Sequence, residues 1–282
     1  MRKVCFSIFL LIGGVCLLMT PSCSTCSRQK TVEDINIDLA DLAIDTTYVN
    51  IARKVYYALP TPIELAMLIK NMGITYQPGL LNDPANASKY LTNQKMALNF
   101  GAYITDLTYA GLYEQSQTVL RYKLSVKQLT EGLGLQSAIN LSTMQQLEAS
   151  INDKDAVLRI ISDTYASCTA SLNEDDRHFL TLAMFIGGWM EGMYIATSMT
   201  DGKLPSNENR MKQLVIDQKL TFEMMWQVIS DLKDIPEVAD MMNDLSELAQ
   251  LLNSIDVEIV TQEAYEQIKD QIHSLRQNIT NK

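Results

Sequence analysis

Phe179-Leu-Thr-Leu-Ala-Met-Phe-Ile-Gly-Gly-Trp-Met-Glu-Gly-Met-Tyr-Ile-Ala-Thr-Ser-Met199 is a run of 21 residues in which Glu191 is the sole charge, with Gly188 and Gly192 four apart. It is long enough for about six helical turns and has no polar face for water. Length and composition would permit a transmembrane span with a close-packing small-residue face. Against a span, a carboxylate at the bilayer centre costs about 2.5–3.5 kcal/mol on insertion scales. The seventy or so residues that follow are also patterned like a soluble helical bundle. The favoured reading is a central helix, apolar all round because other helices surround it.

Residues 96–113 repeat the pattern, with Asp106 as their single charge. Gly101-Ala-Tyr-Ile-Thr-Asp-Leu-Thr-Tyr-Ala110 aligns with Gly187-Gly-Trp-Met-Glu-Gly-Met-Tyr-Ile-Ala196. Glycine, aromatic, apolar and alanine positions match, and the carboxylates miss by one place. Two related halves, each built around a buried helix, would explain this. So would the general likeness of buried helices rich in small and aromatic residues. The spacing fits no common helical repeat.

Working outward, the rest of the body reads as helix. Thr61-Pro62-Ile63-Glu64 is a capping box with proline at the first helical position, and Gly73 stops that helix. Ser142 with Gln145, Asp153, Asn173 and Ser206 are read as further helix starts, each side chain accepting from an orphan backbone N–H. About ten helices are expected, near 46–59, 62–72, 87–121, 126–134, 143–151, 154–171, 174–200, 207–232, 237–256 and 262–280. In the C-terminal third, Val238, Met241, Leu245, Leu248 and Leu252, then Tyr265, Ile268, Ile272, Leu275 and Ile279, fall at alternating threes and fours. Such stripes pack near-parallel neighbours, and short loops make those neighbours antiparallel. The expected fold is therefore all-α: a compact multi-helix bundle with residues 45–204 as a helical core and 205–282 as a three-helix bundle packed on it. The turn Asp201 to Ser206 marks the seam.

The first residues predict an address. Arg2 and Lys3 precede an apolar run from Phe6 to Met19, followed by Thr20-Pro-Ser-Cys23. This is the layout of a secretory signal, here 1–22. Cys23, directly after the small Ser22, is placed like the acylated cysteine of a bacterial lipoprotein. Ordinary cleavage to a soluble secreted protein is the alternative. Residues 23–44, small and polar at first, read as a tether.

Composition narrows the function. The net charge of −10 repels phosphate backbones and anionic headgroups, which argues against nucleic-acid binding and leaves the lipid as the expected membrane contact. With two histidines, His178 and His273, a multi-histidine zinc or copper site is excluded. No nucleophile elbow and no glycine-rich phosphate loop occurs. Four of the five cysteines lie in the first 26 residues, so no disulfide scaffold is expected, and Cys168 reads as a buried apolar residue. The 15 methionines could suggest copper(I), but Met184, Met190, Met193 and Met199 share no face and read as core filler. No cofactor and no metal site is expected.

If a binding site exists, it lies on the two apolar helices. Asn99, Tyr103, Asp106, Ala110, Tyr113 and Gln117 recur at fours and threes and share a stripe. Tyr103, Asp106, Tyr113, Trp189, Glu191 and Tyr194 are the candidate ligand-binding residues. The competing reading is a hydrogen-bonded structural network, since buried polar groups must be paired in any case. Three functional classes survive. The leading one is a non-enzymatic envelope lipoprotein binding a partner protein or small ligand. The others are an enzyme using Asp106 and Glu191 as a carboxylate pair on an envelope glycan, and a structural subunit of an envelope assembly.

The segment Asn99 to Glu114, together with Gly187 to Ala196, resembles uncharacterised all-helical lipoproteins of Bacteroidota. The resemblance implies an envelope location and a helical fold, and carries over no activity or site residue. Surface-exported members tend to carry acidic residues just after the cysteine. Ser24 to Lys30 is neutral to basic, which points to a periplasm-facing anchor.

Overall fold

Two parallel helices in direct backbone contact organise the molecule. The structure is a computed structural model that describes residues 61–71, 75–199, 208–256 and 260–281. The signal segment, Cys23, the tether, the helix expected at 46–59, the Ser206 cap and the 201–206 turn lie outside them. Among the described residues every regular element is helical, and the fold is all-α. The α-helices are α1 (Pro62–Asn71), α2 (Asn93–Leu112), α3 (Ser116–Gly132), α4 (Leu141–Ala149), α5 (Lys154–Glu174), α6 (His178–Ser198), α7 (Glu208–Asp231), α8 (Pro236–Ser254) and α9 (Gln262–Asn281). Two 3-10 helices, Pro78–Leu80 and Pro84–Lys89, shape the segment between α1 and α2.

Several starts follow from their side chains as expected. Thr61 and Glu64 exchange capping bonds in both directions, and Asp153 accepts from Ala156 N–H. Three expectations need correction. The helices expected at 87–121 and 126–134 are redivided: α2 spans Asn93–Leu112, and α3 runs unbroken over Ser116–Gly132. Glu114 takes φ +58, Glu114 N–H donates to Gly111 and Gln115 N–H to Ala110. That is a Schellman ending, with glutamate where glycine usually sits. The same motif ends α5, where Asp176 takes φ +58 and Arg177 N–H reaches Leu172. Asn173 therefore lies in the last turn of α5 and does not start α6. Its Oδ1 accepts from Thr181 Oγ and pairs with His178 Nδ1. For α4 the cap is Asn140 rather than Ser142, accepting from Thr143 N–H.

α2 and α6 share the most extensive interface. A Cβ added at Gly101 would lie 1.8 Å from Met184 O, and one at Gly187 would lie 1.8 Å from Leu98 O. These two contacts are reciprocal: a shift of 86 positions converts one into the other. Thr105 Oγ donates to Gly188 O at 3.0 Å, a further step along both helices. Residue numbers thus rise together across the interface, and the two helices run parallel and in register at the offset seen in the sequence alignment. Beyond each other, α2 packs most on α3, the helix that follows it, and α6 on α9, while both also pack on α1 and α5.

α6 has mean hydropathy 1.3 over its most apolar window, and 89% of that window is buried within the protein. Protein, not lipid, is its solvent. Met184, Met190, Met193 and Met199 are all core residues. So is the free thiol of Cys168, which burial pushes up to about 12. α7 and α8 form a hairpin in which Lys219 Nζ donates to Ile255 O. α9 returns antiparallel to α6, with His273 beside Ser198 and Arg276 beside Glu191. The described residues all belong to one compact unit.

Candidate functional site

The parallel register decides the fate of the two lone acids. Asp106 and Glu191 sit almost opposite each other across the α2–α6 interface, within hydrogen-bonding reach and both with no exposed surface. Two carboxyls in a closed apolar space need a cation, a proton or both. The cation comes from α9. Arg276 Nε donates to Glu191 Oε2 at 2.8 Å and Nη2 to Oε1 at 2.9 Å, a bidentate pair. Nη2 also reaches Leu80 O and Asn82 Oδ1, each at 3.0 Å. The guanidinium stacks on Tyr194, with Cζ 3.9 Å from the ring centroid.

The proton belongs to Asp106. Its Oδ2 accepts from Asn82 N–H at 3.1 Å, while Oδ1 has no donor. Burial first, then the neighbouring Glu191, raise its pKa well above the carboxylate range, against the opposing pull of Arg276. A protonated Asp106 donates to Glu191 and leaves a neutral assembly of one carboxylate, one carboxylic acid and one guanidinium. Burial alone would make Arg276 less basic, but Glu191 outweighs it and holds the guanidinium firmly charged.

A shell of phenols closes the cluster. Tyr103 OH donates to Asp83 O at 2.6 Å, Tyr122 OH to Asn82 O and Tyr90 OH to Thr280 O at 3.0 Å. Burial raises the pKa of all three, that of Tyr90 to about 12, so they remain neutral donors. Their role is to clamp the 78–90 segment and the end of α9 to the core. Tyr103→Phe should therefore cost about 1–2 kcal/mol in urea denaturation, because the Asp83 carbonyl loses its donor.

Of the six candidates, the fold gathers Asp106, Glu191 and Tyr194 around Arg276, with Tyr103 at the edge. Tyr113 belongs to a separate aromatic group with Tyr76 and Tyr109, ring centroids 4.9–5.6 Å apart. Trp189 faces α7, donating to Gln218 at 2.9 Å and packing on Phe222. Arg276 and Asn82 were not among the sequence candidates. Arg276 was detectable in principle, since it stands four residues after Ile272 and three before Ile279, on the edge of the apolar stripe.

Ser198 Oγ and His273 Nε2 are 3.0 Å apart, and burial together with Lys269 and Arg276 favours the neutral imidazole. Ser198 nevertheless closes the last turn of α6, where helix carbonyls, not N–H donors, gather. That end of a helix repels a developing oxyanion, so the pair acts as a tie between α6 and α9. A groove of about 320 Å³ lies elsewhere, lined by Gln94, Lys95, Asp240, Asn243, Asp244 and Asn278 among others. Compared with known proteins, the chain matches no family model, no curated protein and no solved structure.

Proposed function

We propose that this chain is a non-enzymatic lipoprotein of the cell envelope, anchored through Cys23 and periplasm-facing, whose folded body binds a partner protein or small ligand through its surface. The observation that carries the reading is how Asp106 and Glu191 are employed. They are the best candidates for acid–base chemistry in the two apolar helices. Both are fully enclosed; Arg276 holds both oxygens of Glu191, and Asn82 N–H donates to one oxygen of Asp106. A glycosidic carboxylate pair must face a cleft with room for sugar between or beside the carboxyls. The address is supported by the basic start, the apolar run and the Ser22-Cys23 junction. The acidic balance leaves the acyl chain as the membrane contact and disfavours nucleic acid.

Mass spectrometry of the native N-terminus tests the anchor. The expected species begins at an acylated Cys23, and Cys23→Ala should move the protein from the membrane to the soluble fraction. An unmodified chain starting elsewhere would overturn the assignment. A thermal-shift screen with glycans, peptides and haem-like ligands tests the body. A hit that survives both Asp106→Asn and Glu191→Gln supports surface binding, whereas a hit lost in both variants would make the cluster itself a ligand or catalytic site.

A further inference from the structure

We propose that the Asp106–Glu191–Arg276 cluster is a proton-gated latch: a proton shared between the two carboxyls keeps α9 and the 75–92 segment docked, and its loss releases both together. Stoichiometry is the starting point. Two carboxyls face one guanidinium in a space where neither acid has any exposed surface. Asp106 Oδ1 has no donor in the closed cluster, and a proton held between the two carboxyls supplies one. Without it the cluster carries an unbalanced negative charge that burial makes costly.

The cation facing the acids is Arg276. From α2, Tyr103 faces the acids; from the 75–92 segment, Tyr76, Asn82 and Tyr90; from α3, Tyr122; from α6, Tyr194. The phenols of Tyr90, Tyr103 and Tyr122 already donate elsewhere. From α9 comes Arg276, already committed to Glu191, Leu80 O and Asn82, with His273 against Ser198 and Tyr194 and feeling the charges of Lys269 and Asp270. The 75–92 segment is tied down by the Asn82 bond to Asp106, by the bonds of Tyr103 and Tyr122, and by Arg276. The end of α9 is tied by Arg276, by Tyr90 to Thr280 O and by Asn99 to Ile279 O. The two elements share their central fastener, so they open as one.

The direction follows from linkage. The closed state holds a proton that an open, hydrated Asp106 would release once pH exceeds the ordinary carboxylate range near 4. Docking is therefore fully stabilised below that range. It weakens as pH climbs towards the raised value of the closed state, by up to about tenfold in the opening constant per pH unit.

Hydrogen exchange with mass spectrometry on the full chain tests this, with rates corrected for the intrinsic pH dependence of exchange. Between about pH 6 and 9, peptides from 75–92 and 262–281 should lose protection in parallel, with α5 peptides unchanged. Asp106→Asn, which keeps both hydrogen bonds without a titrating proton, should flatten the dependence. A pH-independent wild type, a slope retained in Asp106→Asn, or different slopes for the two segments would each overturn the latch. Infrared spectroscopy supplies a readout that opening does not confound. A protonated-carboxyl C=O band should be present near neutral pH and vanish in Asp106→Asn, and absence of the band in the wild type would also overturn it.

Discussion

Replacing Arg276 with methionine is expected to destabilise the fold by about 3–5 kcal/mol, the cost typical of removing one partner from a buried ion pair. The aliphatic volume is kept, so the loss comes from Glu191, whose buried carboxyl is left without its two donors. Leu80 O and Asn82 Oδ1 lose their donor as well. For a body of this size each kcal/mol corresponds to about 2–4 °C, so the melting temperature should fall on the order of 10 °C. Arg276→Lys should recover little, because an ammonium cannot reproduce the planar bidentate fork. The double variant Arg276→Met, Glu191→Met should recover much of the stability, since removing both charges together leaves no buried orphan. Urea denaturation of the wild type, Arg276→Met, Glu191→Met and the double variant, treated as a double-mutant cycle, measures the coupling. A cost below about 1 kcal/mol for Arg276→Met would mean that water reaches the pair.

The second large effect concerns backbone contact rather than charge. Gly187→Ala places a methyl group 1.8 Å from Leu98 O, and Gly101→Ala does the same against Met184 O. Neither obstacle is a flexible side-chain end that can swing aside, so α2 and α6 must separate. Overpacking usually costs about 1–3 kcal/mol, and a clash of backbone on both sides should reach the top of that range or exceed it. Because the same interface sets the meeting of Asp106 with Glu191, the substitution should also loosen the cluster. Gly79→Ala is the control. An added Cβ there meets nothing within 4 Å and the backbone is not left-handed, so its denaturation midpoint should barely move. If Gly187→Ala proves as mild as Gly79→Ala, the close approach of the helices is wrong.

Much of this architecture was legible in the chain, and the limits are specific. Helix, capping and burial are local properties. The capping box at Thr61 and Glu64, the stripe from Tyr265 to Ile279 and the all-round apolar run at 179–199 each state their structure within a few turns. The breaks at Glu114 and Asp176 were not legible, because each places an acidic residue in a left-handed conformation that sequence patterns reserve for glycine. The alignment of residues 101–110 with 187–196 identified the central pair, but not that the two helices would lie parallel and in register. That arrangement alone converts two acids 85 positions apart into neighbours. The identity of their counter-ion is further still from local information, since Arg276 arrives from the far end of the chain. The sequence by itself determined which segments are helical, which of them are buried, and that each central helix carries one acid needing a partner. Only the tertiary structure decided that the acids answer one another and share a single arginine. Pairing of buried charge depends on distances across packed elements, and no spacing along the chain encodes those distances.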